Sequence, residues 1–123
     1  MPVEVLIVED DPEQARLIQG ALGAIGWRCH VAATAADARD QAVGLHPPLV
    51  ITDIQLPDGN GFDLCRELKG NPALQGIRVI MVTGTYQKDE DRLRAQALGA
   101  DAYLLKPFHI AELIQIARRL VGA

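Results

Sequence analysis

The chain has little of what marks several large classes of protein. It contains two cysteines, Cys29 and Cys65, which form no CxxC motif, so the sequence predicts two small buried thiols in a reducing compartment. Only five of its 123 residues are aromatic, and they are scattered, which argues against a base-stacking platform. With 12 basic and 16 acidic residues the net charge is −4, so we expect no direct binding of nucleic acid.

Long apolar runs are also missing. No stretch approaches the roughly 18 apolar residues of a membrane span, and the Met-Pro-Val-Glu start lacks the basic and apolar segments of a signal peptide. We therefore expect a cytoplasmic protein without membrane contact. A length of 123 residues predicts one domain, residues 1–123, with a core that needs no disulfide, and a hydrophobic content of 49% argues against disorder. The sequence is compatible both with a stand-alone protein and with one domain of a longer chain.

Short apolar runs and helical segments alternate five times along the chain. The third and fourth runs are continuously apolar, which indicates strands covered on both faces by helices. This βα alternation predicts an α/β fold with a parallel sheet and right-handed crossovers. The expected strands lie at about residues 3–8, 27–32, 49–53, 77–83 and 102–105, and the expected helices at about 12–25, 34–44, 62–69, 88–98 and from 109 onward.

Polar residues stand at the ends of four of these strands. They are Glu9 and Asp10 after the first strand, Asp53 in the third, Thr83 in the fourth and Lys106 after the fifth. The carboxyl ends of parallel strands meet at one edge of a sheet, where such folds bind ligands, so we expect these side chains to converge. A buried charge costs stability unless it is paired, which favours a functional reason for this cluster.

The residue types at this edge suit phosphoryl chemistry. Three neighbouring carboxylates, Glu9, Asp10 and Asp53, repel one another unless a cation neutralises them. Because no histidine or cysteine accompanies them, these hard oxygen ligands favour Mg²⁺ over zinc. Lys106 and Thr83 add an ammonium and a hydroxyl suited to a phosphoryl group, whose transfer depends mainly on positioning and charge neutralisation. Asp53 is then the candidate nucleophile.

Four segments carry a resemblance to a known family. They are IVEDDP (7–12), TDIQLPDGNG (52–61), IMVTG (80–84) and LLKPF (104–108). In this order and spacing they resemble the receiver domain of two-component response regulators, the CheY-like superfamily, over essentially the whole chain. The resemblance implies a flavodoxin-like (βα)5 doubly wound sandwich whose five parallel strands lie in the order 2-1-3-4-5.

The resemblance implies a role for each residue that matches the family's motifs. Asp53 is implied to be the phospho-acceptor, assisted by Lys106 and Thr83. The bond from Lys106 to Pro107 is implied to be cis. Thr83 and Tyr103 are implied to act as the switch. The implied Mg²⁺ ligands are Glu9, Asp10, Asp53 and the backbone carbonyl of Gln55.

The implied function is a phosphorylation-activated switch of a phosphorelay rather than a turnover enzyme. The implied phosphodonor is a histidine kinase or a histidine phosphotransfer protein, and the implied cofactor is Mg²⁺. The added charge is expected to change the surface formed by the fourth helix, the fifth strand and the fifth helix, which binds a downstream effector.

Gln55 and Thr85 depart from the family's commonest pattern, at positions that are implied to tune the lifetime of the phosphoryl group. Gln55 also argues against a phosphohydrolase with an aspartate nucleophile, since such enzymes commonly need a second acid two residues after the nucleophile. A flavodoxin-like cofactor binder would need a loop rich in Ser, Thr and Gly where Glu9 and Asp10 stand. A pseudo-receiver that serves only as a docking module is the remaining alternative.

Overall fold

A computed structural model, which describes residues 2–84 and 88–122, contains a five-stranded parallel sheet with helices on both faces. The five strands lie in the order 2-1-3-4-5, which confirms the predicted topology, and every neighbouring pair is parallel. The strands are β1 (Glu4–Val8), β2 (Arg28–Ala32), β3 (Leu49–Asp53), β4 (Arg78–Thr83) and β5 (Ala102–Leu105). The helices are α1 (Pro12–Ala24), α2 (Ala35–Leu45), α3 (Gly61–Gly70), α4 (Asp89–Ala97) and α5 (Ile110–Val121).

The sheet separates two hydrophobic cores, because successive side chains of a strand point to opposite faces. In β1, Val5 and Ile7 pack with α1 and α5, whereas Leu6 and Val8 pack with α2, α3 and α4. All four of these side chains are fully buried. A strand buried on both faces has no polar positions along its length, which explains the continuous apolar runs of the sequence.

The predicted helix ends are confirmed where a local side chain or a glycine sets them. Asp11 caps α1 by accepting the Glu13 N–H at 3.0 Å, and Thr34 caps α2 by accepting the Asp37 N–H at 3.1 Å. Gly99 follows the end of α4 with φ of +98°, a conformation that favours glycine. The strand and helix bounds agree with the sequence prediction to within one or two residues.

Two short elements were not expected from the sequence. Gln55–Leu56 and Gly59–Asn60 form a two-stranded antiparallel hairpin directly after β3, and Pro72–Leu74 forms a 3₁₀ turn after α3. Two-residue strands have too few positions to show a periodic pattern, so only the folded chain reveals the hairpin. Within the described ranges, no helix combines the length and apolar character needed to cross a membrane.

Candidate functional site

The topology gathers the predicted site residues at one edge of the sheet. Val8 is in register with Thr52, and Thr83 is in register with Leu105. The residues at the carboxyl ends of β1, β3, β4 and β5 therefore lie along the same edge, as the sequence predicted. The peptide bond between Lys106 and Pro107 is cis, which confirms that expectation as well.

Lys106 joins the ends of two central strands. Its Nζ donates to Oδ2 of Asp53 at 3.0 Å and to Oε2 of Glu9 at 3.1 Å. The three side chains are only 20%, 14% and 4% exposed, in the order Lys106, Asp53, Glu9. Charges so weakly hydrated interact strongly, so the ammonium is the principal counterion of both carboxylates.

The two carboxylates and the ammonium shift one another's proton affinity. Burial raises the pKa of Glu9, and the negative charge of Asp53 raises it further, while Lys106 acts in the opposite direction. Burial by itself lowers the pKa of Lys106, but hydrogen bonds and attraction from Asp53 and then Glu9 outweigh it, so this pKa is raised. Lys106 therefore remains a cation at neutral pH.

The carboxylate of Asp53 is held on both oxygens. Oδ1 accepts the Gln55 N–H at 3.1 Å, while Oδ2 accepts from Lys106. The Asp53 carbonyl accepts the Thr52 hydroxyl at 2.8 Å. A Cβ on Gly61 would lie 2.5 Å from that same carbonyl oxygen, so only glycine lets the start of α3 approach it so closely.

Glu9 and Asp10 differ in their surroundings, although they are adjacent. Glu9 is buried, and its Oε1 accepts the Asp11 N–H at 3.2 Å, which leaves neither of its oxygens without a hydrogen bond. Asp10 is exposed at the end of β1. The carboxylates of Glu9 and Asp53 thus meet through Lys106, whereas Asp10 is accessible from solvent.

The donor chemistry of this edge fits Mg²⁺. Among the described residues, 2–84 and 88–122, no three His, Cys, Asp or Glu side chains are grouped so that they could hold a metal ion. Mg²⁺ does not need such a group, since it commonly uses one or two carboxylates and fills its octahedron with waters and phosphate oxygens. Asp10 and Asp53 supply hard oxygens, and one ammonium leaves the three carboxylates with excess negative charge. The ligand set predicted from the sequence therefore stays a prediction.

Thr83 is completely buried at the end of β4, and its carbonyl accepts the Lys106 N–H at 2.8 Å. This backbone bond ties the residue after β5 to the end of β4. Gly84 is exposed, and a Cβ there would lie 3.7 Å from Cβ of Lys106. Thr85, the second position expected to tune phosphoryl lifetime, lies outside the described residues.

Tyr103 lies on β5 and is half-buried. The Arg92 guanidinium carbon is 5.4 Å from the centre of its ring, and its apolar part packs on the core beneath α4. Burial raises the pKa of the Tyr103 hydroxyl, and the charge of Asp91 adds to that effect. The arrangement is compatible with core packing and with a switch, so the role of Tyr103 stays a prediction.

Sequence reasoning missed Asp58, which is hydrogen-bonded to an element distant in sequence. Its Oδ1 accepts the Ala35 N–H at 2.7 Å and its Oδ2 accepts the Ala36 N–H at 3.0 Å, both at the start of α2. These hydrogen bonds hold the pKa of the Asp58 carboxyl below its usual range. The local sequence indicates a turn, but nothing in it identifies a helix end 22 and 23 positions away as the partner.

Comparisons with known proteins identify a family that this chain resembles over nearly its whole length. A family model described as the response regulator receiver domain matches residues 5–118. The probable transcriptional regulatory protein TcrX of Mycobacterium tuberculosis is 36% identical over 98% of this chain and 50% of that protein. The polar-differentiation response regulator DivK of Brucella ovis is 33% identical over 99% of this chain and 98% of that protein. This chain thus spans about half the length of TcrX and nearly all of DivK.

A solved structure of similar sequence also has this fold. The BeF3-activated N-terminal receiver domain of RstA from Klebsiella pneumoniae matches with a TM-score of 0.89 and 31% identity. The match covers 98% of this chain and 99% of that chain. The likeness therefore extends over nearly the whole fold.

Proposed function

This chain belongs to the response regulator receiver domain family, and on that premise we propose that Asp53 accepts a phosphoryl group from a phosphohistidine. Members of the family are phosphorylation-activated switches of two-component systems rather than turnover enzymes. The partners that this class implies are a histidine kinase or a histidine phosphotransfer protein. We further propose that the protein is cytoplasmic and that its phosphorylated form binds a downstream effector.

The observation that carries the proposal is the position of Lys106 between two carboxylates. Its Nζ is 3.0 Å from Asp53 and 3.1 Å from Glu9, so a fixed positive charge lies beside the proposed acceptor oxygen. In the transfer, an oxygen of Asp53 forms a bond to phosphorus while the phosphorus–nitrogen bond of the phosphohistidine breaks. The electron pair of that bond returns to the imidazole nitrogen. Lys106 offsets the charge of the transferring group without having to move into place.

Mg²⁺ would be held by Asp10, Asp53 and the backbone carbonyl of Gln55, with Glu9 as the further ligand expected from the family. When bound, Mg²⁺ supplies charge neutralisation for the phosphoryl oxygens. The residues of this chain do the rest. Asp53 provides the nucleophilic oxygen, its Oδ1 is oriented by the Gln55 N–H, and Glu9 orients Lys106.

The phosphorylated state would act through Thr83 and Tyr103. Thr83 stands at the end of β4 next to the site, and its hydroxyl would donate to a phosphoryl oxygen. Tyr103 lies on β5, beside α4, at the surface made by α4, β5 and α5. A new dianionic group with strong acceptor oxygens would bias this surface between two arrangements, one of which binds an effector.

The test is phosphorylation of the whole protein by acetyl phosphate with Mg²⁺, measured by intact mass. We expect one phosphoryl adduct, which is lost in Asp53→Asn and kept in Asp40→Asn, a matched change of an exposed acid on α2. No adduct with acetyl phosphate or an active kinase would support a docking module instead. Release of many equivalents of phosphate from one phosphorylated substrate would support a hydrolase.

A further inference from the structure

The loop that follows Asp53 is hydrogen-bonded to the start of helix α2. Asp58 lies between the two strands of the hairpin Gln55–Leu56 and Gly59–Asn60. Both of its carboxylate oxygens accept backbone N–H groups of α2, from Ala35 and Ala36. An exposed carboxylate with two such bonds is fixed in position, and the negative charge suits the positive end of the helix dipole.

The hairpin transmits that anchor to the site. Gln55 pairs with Asn60, and Leu56 pairs with Gly59, so Asp58 is rigidly connected to Gln55 through two paired positions. Gln55 in turn donates its N–H to Oδ1 of Asp53 at 3.1 Å. A chain of backbone and side-chain bonds therefore runs from the first turn of α2 to the proposed phospho-acceptor.

The hairpin also contacts α2 and α3 through its glycine and asparagine. A Cβ on Gly59 would lie 3.9 Å from Cβ of Ala35, so the hairpin rests against α2 at the same place. At its other end the loop is fixed by Asn60, whose side chain accepts the Asp63 N–H at 2.9 Å and caps α3. The hairpin thus bridges α2 and α3, and Asp58 makes the hydrogen bonds on the α2 side.

We infer that Asp58 is a positioning residue for the phosphorylation site, which holds the backbone of Gln55 in place for Mg²⁺ through its two hydrogen bonds to α2. The inference rests on the proposed function, because it concerns the same Mg²⁺ site. Removing a residue that orients a metal ligand typically lowers metal affinity by about 10- to 100-fold. Both carboxylate oxygens of Asp58 are bonded to α2, so it would act on the metal site only through the hairpin.

Binding of Mg²⁺ alone to the unphosphorylated protein, measured by titration calorimetry, tests the inference without catalysis. We expect Asp58→Ala to weaken Mg²⁺ binding about tenfold. Asp58→Asn also loses the charge but keeps one acceptor oxygen. Its Mg²⁺ affinity should therefore lie between that of Asp58→Ala and that of the wild type. In phosphorylation by acetyl phosphate, the half-saturating Mg²⁺ concentration should rise, while the rate at saturating Mg²⁺ should stay that of the wild type.

Thr34→Ala is the matched control, since it removes the other side-chain cap of the same helix. It should weaken α2 without moving the hairpin, so its Mg²⁺ affinity should equal that of the wild type. Equal affinities in the wild type and Asp58→Ala overturn the inference, as does an equal loss in Thr34→Ala. If Asp58→Ala does not fold, equal affinities in Asp58→Asn and the wild type overturn it.

The same measurements separate this inference from the proposed function. A wild-type protein that neither binds Mg²⁺ nor forms a phosphoryl adduct contradicts the proposed function itself. A wild-type protein that does both, with Asp58→Ala unchanged from it, contradicts only the role of Asp58.

Discussion

Lys106 and Asp53 are 53 positions apart in the chain, yet Nζ of the lysine lies 3.0 Å from Oδ2 of the aspartate. The same ammonium reaches Glu9, 97 positions away, at 3.1 Å. One ammonium thus lies between two carboxylates and reduces the repulsion between them at the end of the sheet. The proposed phospho-acceptor is therefore held by its own counterion before any ligand arrives.

Lys106→Met should affect both stability and phosphorylation. It leaves Glu9 and Asp53 facing each other without a cation, which should lower the free energy of unfolding by about 2 kcal/mol, below the cost for a fully buried pair because the lysine keeps some solvent contact. Loss of the positioned charge should slow phosphorylation by acetyl phosphate on the order of 100-fold. Urea unfolding and intact-mass kinetics measure these effects.

The control for that change is Lys88→Met. The Lys88 side chain is 79% exposed and its ammonium lies 3.9 Å from Glu90, so the pair is weak and well hydrated. We expect no measurable change in phosphorylation rate. Equal effects of the two substitutions would contradict a specific role for Lys106.

Mg²⁺ should stabilise the unphosphorylated protein against unfolding. A ligand that binds only the folded state at about 100 times its Kd adds about 2.7 kcal/mol, and EDTA should reverse the resulting rise in Tm. Asp10→Asn should abolish the rise, because Asp10 is the exposed carboxylate of the proposed ligand set. Asp11→Asn should keep it, since Asp11 caps α1 and asparagine caps equally well. A Tm rise that survives Asp10→Asn argues against this ligand.

Gly61→Ala should damage the site through the backbone. The added Cβ would lie 2.5 Å from the Asp53 carbonyl oxygen and 3.0 Å from Cα of Ile54, neither of which can rotate away. We expect a loss of about 1–3 kcal/mol in unfolding free energy and slower phosphorylation of Asp53. Gly20→Ala is the matched control: a Cβ at Gly20, inside α1, meets no atom of the described residues within 4 Å, so stability should rise by up to about 1 kcal/mol.

Asp101 should make stability depend on pH. Burial raises the pKa of its carboxyl, but the hydrogen bond from Lys69 at 2.8 Å, the Val79 N–H at 2.8 Å and the hydrogen bond from Arg78 at 3.2 Å together outweigh burial and lower it. A carboxyl whose pKa is lower in the folded state stabilises the fold above its unfolded pKa of about 3.9, and this stabilisation is lost as pH falls through the folded pKa.

Asp101→Asn should therefore lower the unfolding free energy at neutral pH by about 1–3 kcal/mol. The difference in unfolding free energy between the wild type and the variant should become smaller as the pH is lowered below about 3.9. Urea unfolding at a series of pH values measures this difference. A difference that stays constant over this range would show that the carboxylate charge does not stabilise the fold.

Two arginines of α4, Arg92 and Arg94, should contribute unequally to the stability of the fold. The Arg94 guanidinium carbon lies 4.1 Å from the ring centre of buried Phe62, whereas that of Arg92 lies 5.4 Å from Tyr103. A close contact to a desolvated ring is the stronger one, so Arg94→Ala should cost about 1–2 kcal/mol and Arg92→Ala less than about 1 kcal/mol. Urea unfolding of both variants gives the order, and the reverse order would contradict this ranking.

The sequence by itself determined the elements and their order. Continuous apolar runs such as 49–53 predicted strands buried on both faces, and the predicted helix ranges agree with helices that Asp11 and Thr34 cap in the structure. These features are local, since a cap or a periodic pattern depends on residues within one or two turns. Because the carboxyl ends of parallel strands meet at one edge of a sheet, the sequence also predicts that Asp53, Thr83 and Lys106 lie at that edge.

Only the tertiary structure decided which charges meet and how the loop after Asp53 is held. Lys106 forms hydrogen bonds with both Glu9 and Asp53, whereas Asp10, next to Glu9 in the chain, stays exposed. The sequence likewise does not indicate the hydrogen bonds between Asp58 and the start of α2. Such pairings join residues far apart in the chain, and they are set by strand order and helix placement, so no local pattern in the sequence records them.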